Sequence, residues 1–306
     1  MSIAEIRSHS LQRRRTARNR NLAGWLFIAP VMFGVLAFQI GPVLVSLFVS
    51  MTDWSGFTAP KFIGLKNYTT MFTVDADFWH SLAITAVFTV FLVFFSISIG
   101  ILLALLCNQK VVGVGLFRVA FFTPVVTNVV AIGFVWFWMF EPNSGLINAS
   151  LAQVGITGPL WLARPVSALV AVIIVSVWQG VGYPMIIVLS GLQAIPASYH
   201  EAAMIDGASA WQRFWWITLP LLTPTIFFLI IWQVISSFQV FGLIYVMTSG
   251  GPANATNVLI FQIYQAAFSQ GRLGYAAAMG WILFLIVGLF TAVQWGLEKR
   301  WVFYDE

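Results

Sequence analysis

Six stretches of this chain are long, apolar and free of Asp, Glu, Lys and Arg: Leu22–Ser50, Ser81–Cys107, Val119–Phe140, Pro165–Ser190, Ile217–Met247 and Leu273–Gly296. The shortest, Val119–Phe140, has 22 residues, and a helix needs about 20 to cross the hydrocarbon core of a bilayer. With no water at that depth, each backbone N–H and C=O must pair within its own segment, so the runs are expected to be helices. Barrel strands are about 10 residues long and alternate in polarity; these runs are too long and too uniform. The expected fold class is therefore an all-α integral membrane protein, a bundle of six transmembrane helices. Composition agrees, since 60% of the 306 residues are hydrophobic and 8% charged, against roughly 25% charged in soluble domains.

Six crossings return the chain to its starting side. On that side fall Arg7, Arg13, Arg14, Arg15, Arg18, Arg20, Lys110, Arg118, Arg213, Lys299 and Arg300, eleven cations; opposite fall Lys61, Lys66, Arg164 and Arg272, four. The excess places both termini in the cytoplasm. The plan is then a basic tail, 1–21, a membrane domain, 22–296, with a cytoplasmic loop at 191–216, and a cytoplasmic end, 297–306. The basic tail suits anionic lipid headgroups, which explains the net charge of +5 without nucleic acid. The first run exceeds a signal-peptide core and has no small-x-small cleavage site, so it reads as a retained anchor. Cys107 is the single cysteine, and no internal disulfide can form.

The cytoplasmic loop interrupts this apolar chain with EAAMIDGASAWQRFWWITLP, Glu201–Pro220. Pro196 ends what precedes it, and Ser198 with Glu201 makes an S-x-x-E capping box. That predicts a short helix Tyr199–Asp206, stopped by Gly207 in a left-handed conformation. Ser209 is positioned to cap a second helix leading through Trp211 and Arg213 into the membrane. Ala202, Ala203 and Ala208 are small enough to admit a close surface. The same pattern also fits a connector lying on the headgroups, with Trp211, Trp215 and Trp216 as anchors.

The spacing E-A-A, three residues, G, nine residues, I-x-L-P is met by Glu201-Ala202-Ala203, Gly207 and Ile217-Thr218-Leu219-Pro220, with Asp206-Gly207-Ala208 as the common D-G-A. It resembles the signature of permease subunits of binding-protein-dependent ABC importers. Phe62–Tyr68 (FIGLKNY), Gly145–Asn148 (GLIN) with Trp161-Leu162, Leu192–Pro196 (LQAIP) and Thr248–Pro252 (TSGGP) resemble the carbohydrate permeases of that family, of the maltose and glycerol-phosphate types. The resemblance implies the type I ABC importer permease fold, and a coupling helix in which Tyr199, Glu201, Ala202, Ala203, Asp206, Gly207 and Ala208 meet an ATPase. It implies as partners a second permease, two ATPase subunits and an extracytoplasmic solute-binding protein, in the cytoplasmic membrane of a prokaryote.

Neither engine of transport is visible in the chain itself. None of Lys61, Lys66, Lys110 and Lys299 follows a glycine, so no G-x-x-x-x-G-K-[ST] phosphate loop exists. The six runs hold no ionisable Asp, Glu, Lys or Arg of the kind that couples ion gradients. No enzyme constellation is present, and His9, His80 and His200 are scattered over a tail and loops, which disfavours a metal site. The resemblance assigns ATP and magnesium to partner subunits, with no cofactor on this chain; a passive channel is the alternative from another class.

An uncharged interior suits a neutral, hydroxyl-rich solute better than an anion. Gln233, Ser236 and Ser237 share a helix face by their i, i+3, i+4 spacing, with Gln239 just beyond. Trp178, Gln179, Gly180 and Tyr183 crowd the fourth run ahead of Pro184. By resemblance, sugar contacts fall on Gln179, Gly180, Tyr183, Gln233, Ser236, Ser237 and Val240. The alternative is that these groups only bond neighbouring helices, as buried Ser and Gln do. Asn128, after Pro124, is expected at a kink or beside a cavity.

Overall fold

The computed structural model describes residues 24–109 and 111–303; the basic tail with Arg7–Arg20, Lys110 and the last three residues lie outside them. Helix α1 (Gly24–Ser50) leads through a hairpin, β1 (Thr52–Asp53) and β2 (Lys61–Phe62), and α2 (Lys66–Thr73) into α3 (Ala76–Cys107). Then come α4 (Val114–Val126), α5 (Val129–Met139), α6 (Leu146–Gln153), α7 (Pro165–Gly180), α8 (Gly182–Ala194) and α9 (Ala197–Ile205). The chain closes with α10 (Ala210–Leu221), α11 (Thr223–Ser237), α12 (Gly242–Met247), α13 (Leu259–Tyr264) and α14 (Leu273–Trp301). Three helices, α1, α3 and α14, are long and apolar enough to span a membrane. Three bent pairs pass the same test: α4–α5 at 99°, α7–α8 at 44° and α10–α11 at 63°.

Each bend has a local cause. Pro124 occupies the last turn of α4, Thr127 is extended, and the Asn128 carboxamide accepts from Val130 N at 2.9 Å and Ala131 N at 3.3 Å, starting α5 in a new direction. Asn128 thus marks the expected kink, but the kink is sharp enough that Val119–Phe140 is not one straight helix. Pro184 cannot donate to the Gly180 carbonyl, and the break falls at Val181 between two glycines. Pro220 and Pro224 flank the break at Leu222. The fifth run also ends early. The expected span Ile217–Met247 stops as α11 at Ser237. Phe238–Val240 then turn, and α12 packs separately on α5, where a Cβ on Gly133 would stand 2.9 Å from Val246 and one on Gly242 2.9 Å from Val129. The low helix propensity of Ser236-Ser237 and Gly242 lets tertiary packing break an otherwise apolar run.

Helix α3 is the central post. Its 32 residues extend roughly 48 Å, further than the expected Ser81 start, because Asp75 caps an added turn by accepting from Phe78 N at 3.1 Å. Ile97 and Ala104 of α3 pack with Met185, Val188 and Leu189 of α8 and Leu229 of α11. Phe88 and Leu92 pack with Val172 and Ile173 of α7, Ile244 of α12 and Phe261 of α13. In lipid, helices associate through close packing of small residues rather than by expelling water. A Cβ on Gly100 would stand 2.7 Å from Pro184, and one on Gly182 only 2.4 Å from the Phe121 carbonyl oxygen. In α1, by contrast, only Ser50 is buried; the helix touches α14 through Trp281, whose indole N–H donates to Ser46 Oγ at 3.2 Å.

The loop motifs have structural reasons. In Phe62–Tyr68, Asn67 is buried and its amide donates to the Ser50 and Thr52 carbonyls at 2.8 and 2.9 Å, fastening the loop to the end of α1. In Gly145–Asn148, the Asn148 amide donates to the Pro142 and Pro159 carbonyls, while the Trp161 indole donates to Asn148 Oδ1 at 2.8 Å. Glu141 accepts from the Asn143 and Ser144 amides, and the Ser144 backbone bond foremost holds its pKa below the usual value. The Tyr275 hydroxyl donates to Asp75, joining α14 to the start of α3.

Candidate functional site

Helix α9 opens directly behind Pro196, two residues earlier than a cap at Ser198 requires. The expected Ser198–Glu201 capping box is absent. Ser198 sits inside the first turn with helical backbone, whereas a capping serine must be extended at the boundary. The box is made instead by the second candidate. Ser209 Oγ accepts from Gln212 N at 3.3 Å, and Gln212 Oε1 accepts from Ser209 N at 2.7 Å.

The turn between the helices is built around Gly207, at φ +77°. Gly207 N donates to the Met204 carbonyl at 3.1 Å and Ala208 N to the Ala203 carbonyl at 2.9 Å, which satisfies two carbonyls left open at the end of α9. The Arg213 guanidinium donates to the Ala208 carbonyl at 2.8 Å, pinning the turn to α10. Glu201, Ala202, Asp206 and Gly207 are exposed, Ala203 and Ala208 half-buried, and Tyr199 exposed over about two-fifths of its surface. No residue of α9 is buried, and Ile205 is 87% exposed. The hairpin therefore has a firmly made turn and an open, partly apolar face.

The candidate path residues divide into two groups. Tyr183, on α8, stacks on Trp232 of α11 with ring centroids 5.2 Å apart, so the two bent spans meet through an aromatic pair. Gln179 is half-buried one turn before Tyr183, and a Cβ on the intervening Gly180 would meet nothing within 4 Å. Gln233 is buried beside Trp232, Ser236 is half-buried and Gln239 exposed; none has a side-chain hydrogen-bond partner among the described residues. Ser237 differs. At 1% exposure, its hydroxyl donates to the Val234 carbonyl at 2.7 Å and lies 2.8 Å from Thr89 Oγ1, tying α11 to α3. Val240 is half-buried against the Phe88 cluster. The structure thus joins α8 to α11 at Tyr183 and Trp232, leaves Gln233 and Ser236 without a side-chain partner among the described residues, and holds Ser237 in the packing. Sequence reading missed Trp232 and Thr89, whose partners lie 49 and 148 residues away with no local signal.

The family described as binding-protein-dependent transport system inner membrane component matches residues 96–302. The probable ABC transporter permease protein YesP of Bacillus subtilis is 41% identical, over 97% of this chain and 96% of that protein. The lactose transport system permease protein LacF of Rhizobium radiobacter is 37% identical, over 90% of this chain and 94% of that protein. A chain in the crystal structure of a bacterial ABC transporter involved in the import of the acidic polysaccharide alginate superposes with a TM-score of 0.82 at 22% identity, covering 94% of this chain and 99% of that one. The fold is that of a type I ABC importer permease, and the chain belongs to the inner-membrane permease components of binding-protein-dependent transport systems.

Proposed function

We propose that this chain is one of two permease subunits of an ATP-driven importer that carries a carbohydrate, as a mono- or oligosaccharide, across the cytoplasmic membrane. The named substrates of similar permeases, lactose among them, support the solute class, as does an interior of neutral amides, hydroxyls and aromatic rings without a formal charge in its six apolar runs. The three long helices and three bent pairs make six crossings with both termini cytoplasmic. Gln179, Gly180, Tyr183, Gln233, Ser236 and Gln239 line half of a path that the second permease completes; Ser237 holds that half together.

Energy enters through α9. The observation that carries this reading is a helix with no buried residue, closed at its C-terminal end by the bonds around Gly207, on the loop that holds the E-A-A and G positions. An isolated helix this short is unstable in water, and its exposed Met204 and Ile205 suit a groove on an ATPase subunit. ATP and magnesium sit on that subunit. A solute-binding protein delivers sugar to the outer loops, nucleotide binding draws the two ATPases together, and α9 transmits the movement through Arg213 and α10 to the bend at Leu222.

The test is reconstitution of the chain with its partner subunits and binding protein. Sugar uptake should require ATP. Glu201→Ala should lower it while the assembly still forms and hydrolyses ATP. Uptake that survives ATP depletion would point to a channel, and full uptake in Glu201→Ala would remove α9 from the mechanism.

A further inference from the structure

Beyond the end of α11, five aromatic rings form a connected ladder. Phe241 lies 5.0 Å from Tyr264, 5.4 Å from Tyr245 and 6.0 Å from Phe261; Tyr245 lies 5.6 Å from Tyr264, and Tyr264 5.3 Å from Phe268. The base is fixed. Phe261 is buried, and Phe241 and Tyr264 pack on the cluster of Phe88, Val172 and Ile244. A Cβ on Gly250 would stand 2.8 Å from the Phe261 ring, so the Thr248–Pro252 turn seats this rung closely. The outer rungs are open, with Tyr245 47% and Phe268 74% exposed.

Two features set the ladder apart from single aromatic anchors at a membrane interface. It starts two residues after Gln239, which is exposed, and so follows Gln233, Ser236 and Gln239 along the chain toward the outer loop. It also pairs ring faces with two phenol hydroxyls and with the half-buried Gln265 at its side. A pyranose offers the complement: an apolar C–H face for the electron-rich ring and equatorial hydroxyls for amide and phenol groups. Rings already held by packing lose little conformational entropy when a ligand stacks on them. Resting on the carbohydrate reading above, we propose that Tyr245, Tyr264 and Phe268 form a second carbohydrate subsite. It receives a sugar unit ahead of Tyr183 and Gln233 and favours chains of more than one unit.

The experiment uses the assembled transporter in proteoliposomes, with binding protein at saturation and radiolabelled lactose, maltotriose and xylotriose as probes. For whichever of these the wild type accumulates, Tyr245→Leu and Phe268→Leu should each slow uptake roughly two- to tenfold, the effect of one lost ring contact. Tyr245→Phe should keep most of the rate. Basal ATP hydrolysis and co-purification of the second permease should be unchanged, which shows the variants folded. Wild-type rates in both leucine variants would overturn the subsite and leave the rings as interface anchors. Loss of the second permease from the purified assembly would overturn it in favour of a protein contact. If the wild type accumulates none of the three sugars, the carbohydrate reading and the subsite fall together.

Discussion

Gly207 gives the sharpest test of the α9 turn, because its substitution isolates one physical term. The residue sits at φ +77°, and a Cβ built there would meet nothing within 4 Å. Gly207→Ala therefore creates no clash, and its cost is only that of holding an L-residue in the left-handed region, about 1–2 kcal/mol. That lowers the occupancy of the native turn roughly five- to thirtyfold and loosens the bonds from Gly207 N to Met204 and from Ala208 N to Ala203. Because α9 buries no residue, the thermal stability of the bundle should stay unchanged. The assay is amide hydrogen exchange over residues 203–209, paired with the ratio of sugar carried to ATP hydrolysed. Exchange should quicken and the ratio fall in Gly207→Ala. Gly207→Asn should recover much of both, since asparagine tolerates this conformation. If alanine and asparagine behave alike, backbone handedness is not what the glycine supplies, and the account of the turn is wrong.

The two glycines that bracket the break at Val181 should part company. Gly182→Ala places a Cβ 2.4 Å from the Phe121 carbonyl oxygen and should cost about 1–3 kcal/mol, read as a lower melting temperature of the purified complex. Gly180→Ala meets nothing within 4 Å and should keep the melting temperature while reducing uptake. Ser237→Ala removes the link to Thr89, worth about 0.6 kcal/mol for such bonds in membranes; it should leave uptake nearly intact, whereas Gln233→Ala should impair it. Glu141 has a pKa lowered from 4.5, chiefly by the Ser144 amide. A depressed carboxylate stabilises its loop above the unfolded pKa and stops doing so as pH falls through the folded one. Protection of the Asn143 and Ser144 amides should therefore persist down through pH 4.5 and fade only below it, a shift that Glu141→Gln abolishes.

What could be read from the sequence was what the chain decides locally. A run without charges states its own need for a bilayer, and the glycine at 207 states its own backbone angle. Bends were half legible. Asn128 after Pro124 marked a kink, yet nothing in the run gave its 99°, which depends on where α5 finds α12. Two capping boxes stood 11 residues apart, Ser198 with Glu201 and Ser209 with Gln212, and only the second forms. The difference lies in the neighbour. Pro196, with φ near its fixed value and ψ extended, sends the chain straight into α9 and leaves Ser198 two residues too deep. The path residues were the least legible, for a reason that helix geometry makes unavoidable. Ser236 and Ser237 are adjacent and share the face of Gln233, so periodicity cannot rank them. The choice is made by Thr89 on α3, which takes the Ser237 hydroxyl and leaves Ser236 available. A polar side chain inside a bilayer always needs a partner, and whether that partner is a neighbouring helix or a passing solute is settled by contacts that only the folded bundle makes.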